Sequence, residues 1–301
     1  MDKLLICDPV AASAIEAMRA SGIDLDVRDD VTPEALADII GDYAGMVVRS
    51  RTKVRANLID KAAKLRVIMR GGVGLDNIDV AYAQSKGIDV RNTPLASSNA
   101  VAELALGMMF ALARRIAEAD ASMKAGRWDK KLFKGAEVAG KTLGIIGYGR
   151  IGRLLGEKAR ALGMKVLAYD PYIQHEDIVS LETLLQSADY VSLHLPHTAE
   201  THHLFSTEQF AMMKPGACVV QASRGGTVDE AALYEALASR HLAGAALDVF
   251  TEEPPQGDLL KKLVALPQVV ATPHIGAATV EAQDRIGDEL VELAKAYFIE
   301  P

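Results

Sequence analysis

Cysteine and long hydrophobic runs are both scarce in this chain of 301 residues. Its two cysteines, Cys7 and Cys218, lie in apolar runs, where a free thiol is usually buried packing. We therefore expect no disulfide framework, no cysteine metal site and no thiol nucleophile. The first apolar run ends at Asp8 and Pro9, too early for a signal peptide, and no later run has membrane-spanning length. The sequence predicts a cytoplasmic protein without a membrane partner.

Basic charge is also in deficit, since 33 Lys and Arg stand against 40 Asp and Glu, for a formal net charge of -7. This balance argues against a nucleic-acid or anionic-membrane surface. No HExxH or paired CxxC spacing occurs, so metal catalysis is not expected, and GxSxG, the usual serine-hydrolase signal, is absent. The 50% share of hydrophobic residues excludes a disordered chain. The length predicts two domains.

Short β-branched runs alternate with amphipathic, alanine-rich runs along the chain, which predicts an α/β fold of parallel sheets covered by helices. One helix is predicted to start at Ser13 with a capping box in SAIE, and another to use Thr32 as its N-cap before Pro33. Strands are predicted in LLICD, IDLDVR, GMVVRS, RVIMRG and IDVRN, and in a second series in TLGIIG, KVLAYD, YVSLHL, CVVQAS, GAALDV and VVATP.

Two long helices stand out from this alternation. The segment from Asn99 is apolar on most of its surface and predicts a buried helix, with three methionines packed in a core: Met108, Met109 and Met123. The closing run TVEAQDRIGDELVELAKAYF predicts an amphipathic helix that packs back on the first domain.

The strongest local signal is GxGxxG, filled by Gly147, Gly149 and Gly152, directly after an apolar strand and at the start of a helix. These glycines permit a tight turn, a close approach of the backbone to a pyrophosphate, and packing of helix on strand. The next strand ends in Asp170, which suits a ribose diol and repels a 2′-phosphate, so NAD is favoured over NADP. A glycine-rich turn without a ligand is the alternative.

Three polar residues follow strands of the second series: Arg224 in ASRGG, Glu253 in DVFTEEPP and His274 in TPHIG. Because ligands bind beyond the carboxyl ends of parallel strands, adjacent strands can bring them into one site. A neutral histidine accepts the proton of a hydroxyl as hydride leaves, a carboxylate orients the imidazole, and arginine grips a carboxylate. A structural ion pair and a packed or surface histidine are the alternatives. His194 also ends a strand, and we expect it to shape a cofactor pocket rather than move protons.

The motifs that contain these residues are typical of a known protein family. The chain resembles the D-isomer-specific 2-hydroxyacid dehydrogenases over nearly its whole length, in the motifs VRSRTKV, RGGVGLDNIDV, NTPLASSNAVAE, GIIGYGRIG, HLPHTAET, ASRGGTVDE, ALDVFTEEPP and TPHIGAAT. The resemblance implies two doubly wound domains. A flavodoxin-like substrate domain would comprise residues 1–94 and 277–301, and an inserted Rossmann NAD domain residues 95–276.

The resemblance also implies roles, residue by residue. It makes Arg224, Glu253 and His274 catalytic. It implies a substrate site that includes Arg224 and His274 together with Arg49, Ser50 and the amides of Gly72, Val73 and Gly74. The implied NAD contacts are Gly147, Tyr148, Gly149, Arg150, Ile151, Gly152, Asp170, His194, Leu195, Pro196, Thr201, Ala222, Ser223, Arg224, Asp248, His274, Gly276 and Ala277.

Some features set the chain apart from many members of the family. Gln221 stands where many have Asn, and Gly72 where many have Ala, which predicts a changed pocket fit without loss of chemistry. Because the sequence ends at Pro301, we expect no C-terminal regulatory domain and no feedback by serine through one.

The predicted substrate is D-3-phosphoglycerate, oxidised in a step of serine biosynthesis, because a phosphate needs a second cation. Arg49 and Arg51 flank Ser50, and Lys130 and Lys131 lie in a basic connector. A solvated basic surface is the alternative for the two lysines. Reduction of glyoxylate or hydroxypyruvate is a second possible activity. An NAD-sensing, corepressor-like binding protein is a possibility of another class. From the resemblance we also expect a homodimer or a dimer-based tetramer.

Overall fold

A computed structural model describes residues 2–299 and confirms the predicted α/β class. The chain forms two compact units. The first contains the described residues up to Ser98 and those from Ala277 onward, and the second contains Asn99–Gly276. The sequence-based boundary follows Pro94, whereas the structure keeps the next few residues in the first unit. The reason is local, since Ala96 is buried in that unit's core and its carbonyl accepts a hydrogen bond from Arg285 Nε at 2.9 Å. None of the described helices is long and apolar enough to cross a membrane.

The first unit contains one parallel sheet of five strands in the order β2-β1-β3-β4-β5, which is the flavodoxin-like order. Its strands are β1 (Lys3–Ile6), β2 (Asp24–Val27), β3 (Gly45–Val48), β4 (Val67–Arg70) and β5 (Asp89–Asn92). Its helices are α1 (Ala12–Ala20), α2 (Pro33–Ile39), a 3₁₀ turn (Ile40–Asp42), α3 (Ala56–Ile59), α4 (Val80–Ser85) and α12 (Val280–Phe298).

Side chains of the central strands alternate between two buried faces, as the two-residue period of a strand requires. On β1, Leu5 joins the core beneath α2 to α4, whereas Leu4 and Ile6 join the core beneath α1 and α12. The closing helix α12 therefore packs on the first unit, as predicted, against α1 and β4. Both faces of this sheet are covered, which explains why its central strands β1, β3 and β4 are largely apolar.

The second unit contains a parallel sheet of six strands in the order β11-β10-β9-β8-β6-β7. Beyond β7, Ile178 forms a single parallel bridge with Ala168, so this edge carries a remnant of the third Rossmann strand. The strands are β6 (Thr142–Ile146), β7 (Lys165–Tyr169), β8 (Tyr190–Leu193), β9 (Cys218–Gln221), β10 (Gly244–Leu247) and β11 (Val269–Ala271). The helices are α5 (Ser98–Arg114), α6 (Ile116–Lys124), a 3₁₀ turn (Lys130–Leu132), α7 (Arg150–Ala161), α8 (Leu181–Ser187), α9 (Thr207–Met212), α10 (Glu230–Ala238) and α11 (Gly257–Ala265).

Helix capping follows the sequence in one case and departs from it in another. Thr32 caps α2, since its hydroxyl accepts a hydrogen bond from the Ala35 amide and Pro33 opens the first turn. The capping box predicted at Ser13 is wrong. Helix α1 begins one residue earlier, at Ala12, so Ser13 lies inside the first turn and the N-cap residue is Ala11, which has no side-chain acceptor.

The apolar helix predicted from Asn99 is interrupted. Arg115 adopts a left-handed conformation with φ 53°, which ends α5 and starts α6. Its guanidinium donates to Glu118 on the next turn and lies over the Phe133 ring, contacts that hold this conformation. Met108 and Met109 are buried as predicted, but Met123, beyond the break, is 55% exposed, and its predicted core role is wrong.

Candidate active site

The glycine-rich turn joins β6 to α7 and is too crowded for side chains at two of its three glycines. Gly147 has φ 90°, and a Cβ there would lie 2.6 Å from the carbonyl oxygen of His194. A Cβ on Gly152 would lie 2.3 Å from the carbonyl oxygen of Gly147, which is the close packing of helix on strand that the motif predicts. Nothing lies within 4 Å of the corresponding position at Gly149, so the backbone is open there to a ligand.

Helix α7 and the end of β7 supply the groups that a dinucleotide needs. Gly149 is the N-cap residue of α7, and no side chain caps the first turn, which begins at Arg150. Uncapped amides at a helix N-terminus suit a pyrophosphate. Asp170 accepts hydrogen bonds from the amides of Tyr148 at 2.9 Å and Tyr172 at 3.0 Å, so its carboxylate is fixed beside the turn. The residues present therefore fit NAD.

Tyr148 faces inward at this turn. Its ring is 2% exposed, and its hydroxyl donates to Asp177 Oδ2, which also forms an ion pair with Arg160. Burial, followed by the hydrogen bond to Asp177, raises the pKa of the phenol. The sequence-based prediction put Tyr148 at the cofactor. The structure leaves only its main chain for that role, because the phenol is part of the support beneath the turn.

His194 follows β8 next to the glycine-rich turn. Its Nε2 is 2.9 Å from Ser192 Oγ, and its Nδ1 is a buried polar atom without a hydrogen-bond partner among the described residues. Burial lowers the pKa of His194 to about 4, so the ring is neutral at pH 7. That His194 shapes a cofactor pocket and moves no proton stays a prediction. After it, the Thr201 hydroxyl donates to the Pro196 carbonyl at 2.7 Å and closes the loop.

Arg224 lies in a loop after β9 that is fixed from inside by Gln221. The Gln221 amide nitrogen donates to the Arg224 carbonyl at 2.9 Å, and its oxygen accepts from the Ser223 hydroxyl at 2.7 Å. The next residue must be glycine, since a Cβ on Gly225 would lie 1.9 Å from the carbonyl oxygen of Phe250. The Arg224 loop is therefore pressed against the loop that carries Glu253.

Glu253 and His274 form a hydrogen-bonded pair, with Nδ1 of the ring 2.7 Å from Oε2 of the carboxylate. The other carboxylate oxygen accepts from the Phe250 amide at 3.1 Å. Burial raises the pKa of Glu253, but four interactions together bring the pKa below its usual value: the hydrogen bond with His274, the charge of that ring when protonated, the hydrogen bond from the Phe250 amide and the charge of Arg224. The carboxylate is thus ionised at neutral pH. Because an ionised carboxylate only accepts hydrogen bonds, Nδ1 carries the proton and Nε2 is the basic atom of the neutral ring.

A buried aspartate shapes the turn that presents His274. Asp248 is 1% exposed, and its carboxylate accepts hydrogen bonds from the Thr272 hydroxyl at 2.6 Å, the Ile275 amide at 2.8 Å and the Gly276 amide at 2.9 Å. Within this turn His274 has φ 52°. The sequence-based prediction put Asp248 near NAD, whereas its observed contacts all serve the loop of the histidine. Replacing this carboxylate would destabilise the loop, because three hydrogen-bond donors would lose their acceptor.

In the first unit, the loop after β3 is held by two buried polar residues. Asp8 is fully buried and accepts from the Arg49 amide at 2.5 Å, from Thr52 Oγ1 at 2.9 Å and from Arg51 Nε at 2.9 Å. Asn77 Nδ2 donates to the carbonyl oxygens of Arg49 and Thr52 at 2.7 Å each. The predicted substrate residues Arg49 and Ser50 therefore lie in a loop with a fixed backbone.

The glycine turn after β4 differs from its prediction. The Gly72 amide donates to Thr93 Oγ1 at 2.7 Å, so it is engaged inside the unit, which argues against its predicted contact with substrate. The Val73 carbonyl accepts from Asn92 at 2.6 Å, and the role of the Val73 and Gly74 amides stays a prediction. Gly72 has φ 136°, and a Cβ there would lie 1.5 Å from Arg70 Nη1, so the guanidinium fills the space that an alanine methyl would need.

Several residues with a clear part in these loops were not found from the sequence: Asp8, Arg70, Asn77 and Gln283. Two of them, Asp8 and Arg70, could have been predicted, because each lies at or just beyond the carboxyl end of a strand, as Arg224 and His194 do. Asn77 and Gln283 lie in a turn and on a helix, and nothing in their neighbourhood along the chain sets them apart. Among residues 2–299, no group of three His, Cys, Asp or Glu side chains is arranged to hold a metal ion.

Together, the glycine-rich turn, the fixed Asp170 and the Glu253–His274 pair beside Arg224 define the class of an NAD-dependent oxidoreductase. Comparison with known proteins narrows the class. Residues 106–276 match the family model described as D-isomer specific 2-hydroxyacid dehydrogenase, NAD binding domain. The chain belongs to this family of NAD-dependent dehydrogenases.

Three relatives illustrate its range. The chain is 51% identical over 263 residues to a hydroxypyruvate reductase of Thermotoga maritima, covering 86% of each chain. It is 47% identical over 303 residues to a D-3-phosphoglycerate dehydrogenase of Methanocaldococcus jannaschii, covering 98% of this chain but only 57% of that relative's length. The solved structure of a D-lactate dehydrogenase of Aquifex aeolicus, complexed with NAD and lactic acid, superposes with a TM-score of 0.85 at 30% identity, covering 98% of this chain and 95% of that one.

Proposed function

We propose that this chain interconverts a D-2-hydroxy acid and its 2-keto acid, with Arg224, Glu253 and His274 as its catalytic residues. The observation that carries the proposal is the 2.7 Å contact of His274 with Glu253, in a Rossmann unit where the charge of Arg224 also acts on that carboxylate. A histidine held by an ionised carboxylate is suited to take up and release a proton.

In the direction of oxidation, neutral His274 takes the hydroxyl proton on Nε2, and Glu253 stabilises the imidazolium that forms. Arg224 binds the substrate carboxylate through two parallel hydrogen bonds and so orients the carbon that reacts. NAD⁺, held at the first turn of α7 and by Asp170, would supply the acceptor for the hydride that leaves that carbon. In reduction, the imidazolium returns its proton to the carbonyl oxygen, and neutral His274 is restored.

The first turn of α7 is proposed to hold the pyrophosphate through the amides of Arg150 and Ile151, and Asp170 the adenine ribose. The open space at Gly149 and the fixed Asp170 carboxylate support this assignment. For His194 the orphan Nδ1 supports a polar contact with the cofactor. The contacts implied for the remaining residues of this set belong to the same proposal: Leu195, Pro196, Thr201, Ala222, Ser223, Gly276 and Ala277.

D-3-phosphoglycerate is the proposed substrate, with Arg49 as the cation for its phosphate. Arg51, the other arginine of the loop, already forms an ion pair with buried Asp8 and also donates to the Cys7 carbonyl. This leaves Arg49, whose guanidinium donates to the neutral amide of Gln283. Hydroxypyruvate is the second candidate. It is favoured by the relative of similar length, and by the loss of Arg51 as a second phosphate ligand.

Arg49→Gln separates these candidates. We expect the KM for D-3-phosphoglycerate to rise roughly ten- to a hundredfold, because one charge-assisted contact with the phosphate is lost, and the KM for hydroxypyruvate to rise less than about threefold. Initial rates of NADH formation or consumption measure both constants. Arg55→Gln is the matched control, since Arg55 is exposed and donates to the main-chain carbonyl of Asp76, and it should leave both constants unchanged. Equal effects of Arg49→Gln on the two substrates would refute the phosphate assignment.

The predicted two-fold dimer belongs to this proposal. Apolar side chains are exposed along the segment from α6 to the following 3₁₀ turn: Ile116, Met123, Trp128 and Leu132. Trp128 is 78% exposed, and a group of large apolar residues in water is typical of a protein interface. Sedimentation at micromolar concentration should give twice the chain mass. A species of 32.2 kDa alone would contradict the dimer.

A further inference from the structure

We propose that Gln283 is a specificity-determining residue, which places no negative charge beside the guanidinium of Arg49 and thereby leaves it available to the phosphate of the substrate. The inference rests on the proposed function, because it needs Arg49 to bind an anion. Nothing in the sequence around Gln283 indicates a role for this residue. Its side chain extends from α12 and contacts Arg49, which lies more than two hundred residues earlier in the chain.

The orientation of the Gln283 amide is fixed from both ends. Its oxygen accepts a hydrogen bond from Arg49 Nη1, and its nitrogen donates to the Ala277 carbonyl at 2.6 Å. Arginine offers only donors and a carbonyl only an acceptor, so a side-chain amide satisfies both neighbours at once. The oxygen of Gln283 must therefore face Arg49, and a carboxylate at the same place would lose the bond to Ala277.

The two arginines of the loop, Arg49 and Arg51, have side-chain partners of different charge. Arg51 is paired with the carboxylate of Asp8, the same group that holds the backbone of the loop. Arg49 has a neutral amide as its side-chain partner. The three groups Asp8, Arg49 and Arg51 thus carry a net charge of +1, and Arg49 is the arginine without a carboxylate in side-chain hydrogen-bond contact.

Arg49 is also poorly solvated. Burial lowers the pKa of its guanidinium, although the charge of Asp8 acts in the opposite direction, and arginine stays charged regardless. Its aliphatic stem packs against Gly71, where a Cβ would lie 3.5 Å from Arg49 Cδ. A half-buried cation beside a neutral partner attracts an anion more strongly than a solvated or ion-paired one does.

Gln283→Glu tests the inference, because it changes the charge with almost no change of shape. The new carboxylate would form an ion pair with Arg49 and repel a phosphate. We expect the KM for 3-phosphohydroxypyruvate, with NADH as the reductant, to rise at least tenfold. The KM for hydroxypyruvate should change less than about threefold, and the Kd for NADH should stay unchanged.

Gln283→Met is the matched control. Methionine is similar in size and neutral, and it loses both hydrogen bonds of Gln283, whereas glutamate keeps the one with Arg49. If Gln283 acts only as a structural prop, methionine should harm binding of 3-phosphohydroxypyruvate as much as glutamate or more. Our proposal requires the opposite order, and an effect of Gln283→Glu that is larger for the phosphorylated keto acid than for hydroxypyruvate.

A second measurement needs no variant. The wild-type KM for 3-phosphohydroxypyruvate should rise with salt more steeply than that for hydroxypyruvate, because ions screen the charge of Arg49. Equal salt dependence, or a methionine variant as impaired as the glutamate variant, would overturn the role of Gln283. If instead Arg49→Gln itself leaves the KM for the phosphorylated substrate unchanged, the proposed substrate fails, and the inference fails with it. The two failures are therefore distinguishable.

Discussion

Replacing His274 with asparagine is expected to lower kcat about a thousandfold, in both directions of the reaction, while the Kd for NADH stays within about twofold of the wild-type value. Asparagine retains a polar group near Glu253 but has no basic nitrogen, so the proton of the hydroxyl has no acceptor. The cofactor contacts assigned to α7 and Asp170 do not involve the imidazole. Steady-state rates at saturating substrate and fluorescence titration with NADH measure the two quantities.

His241→Asn is the control for this variant. His241 precedes the amino end of β10, whereas His274 follows the carboxyl end of the neighbouring strand β11. The His241 Nε2 contacts the carbonyl oxygen of Phe210. We expect its kcat to stay within about twofold of the wild type. A His274→Asn enzyme that retained more than about a tenth of the wild-type kcat would exclude this imidazole as the acid and base.

Glu253→Gln is expected to lower kcat/KM roughly a hundredfold. Glutamine carries no charge, so it cannot stabilise the imidazolium that forms when His274 takes up the proton. Because the same imidazolium is needed in both directions, oxidation and reduction should slow to a similar extent. Steady-state rates with NAD⁺ and the hydroxy acid, and with NADH and the keto acid, measure the two effects.

The neighbouring Glu252→Gln is the control, since Glu252 is exposed and carries the same charge one residue away. It should leave kcat/KM within about twofold of the wild-type value. A Glu253→Gln variant with an unchanged kcat/KM would show that the observed 2.7 Å contact does not govern proton transfer.

The lowered pKa of Glu253 also predicts how stability depends on pH. A carboxyl group whose pKa is lower in the folded than in the unfolded chain stabilises the fold above the unfolded value, which is about 4.3 for glutamate. This contribution is lost as the pH falls through the lowered folded value. Its effect is confined to acid solution and modest, because the Glu253 side chain is 37% exposed.

The parts of the site that could be predicted from the sequence are those set by contacts near in the chain. The roles of Gly147 and Gly152 follow from a turn six residues long, and the crowding observed there agrees with them. The sequence indicates three residues that each follow a strand: Arg224, Glu253 and His274. A parallel sheet brings the carboxyl ends of its strands to the same side, so residues in these positions can share one site.

The parts that could not be predicted depend on contacts between distant segments. Asn77 and Gln283 act on the Arg49 loop from a turn and from the last helix, and only the packed unit brings them there. The Gly72 amide was expected at the substrate because a glycine-rich turn exposes amides, but Thr93, on the segment after β5, satisfies it. Met123 was predicted to be a core residue because the helical pattern of the sequence continues through Arg115. The left-handed conformation of Arg115, which interrupts the helix before Met123, cannot be predicted from that pattern.

The most direct test of the central claim follows a label from substrate to cofactor. The protein is mixed with NAD⁺ and D-3-phosphoglycerate carrying deuterium at C2, and in parallel with deuterated D-glycerate, and the NADH formed is analysed for the label. We predict deuterated NADH with at least one of these substrates, and none with the His274→Asn variant. Tight binding of NAD⁺ without any reduced cofactor, from either substrate, would contradict the assignment of His274, Glu253 and Arg224 to hydride transfer.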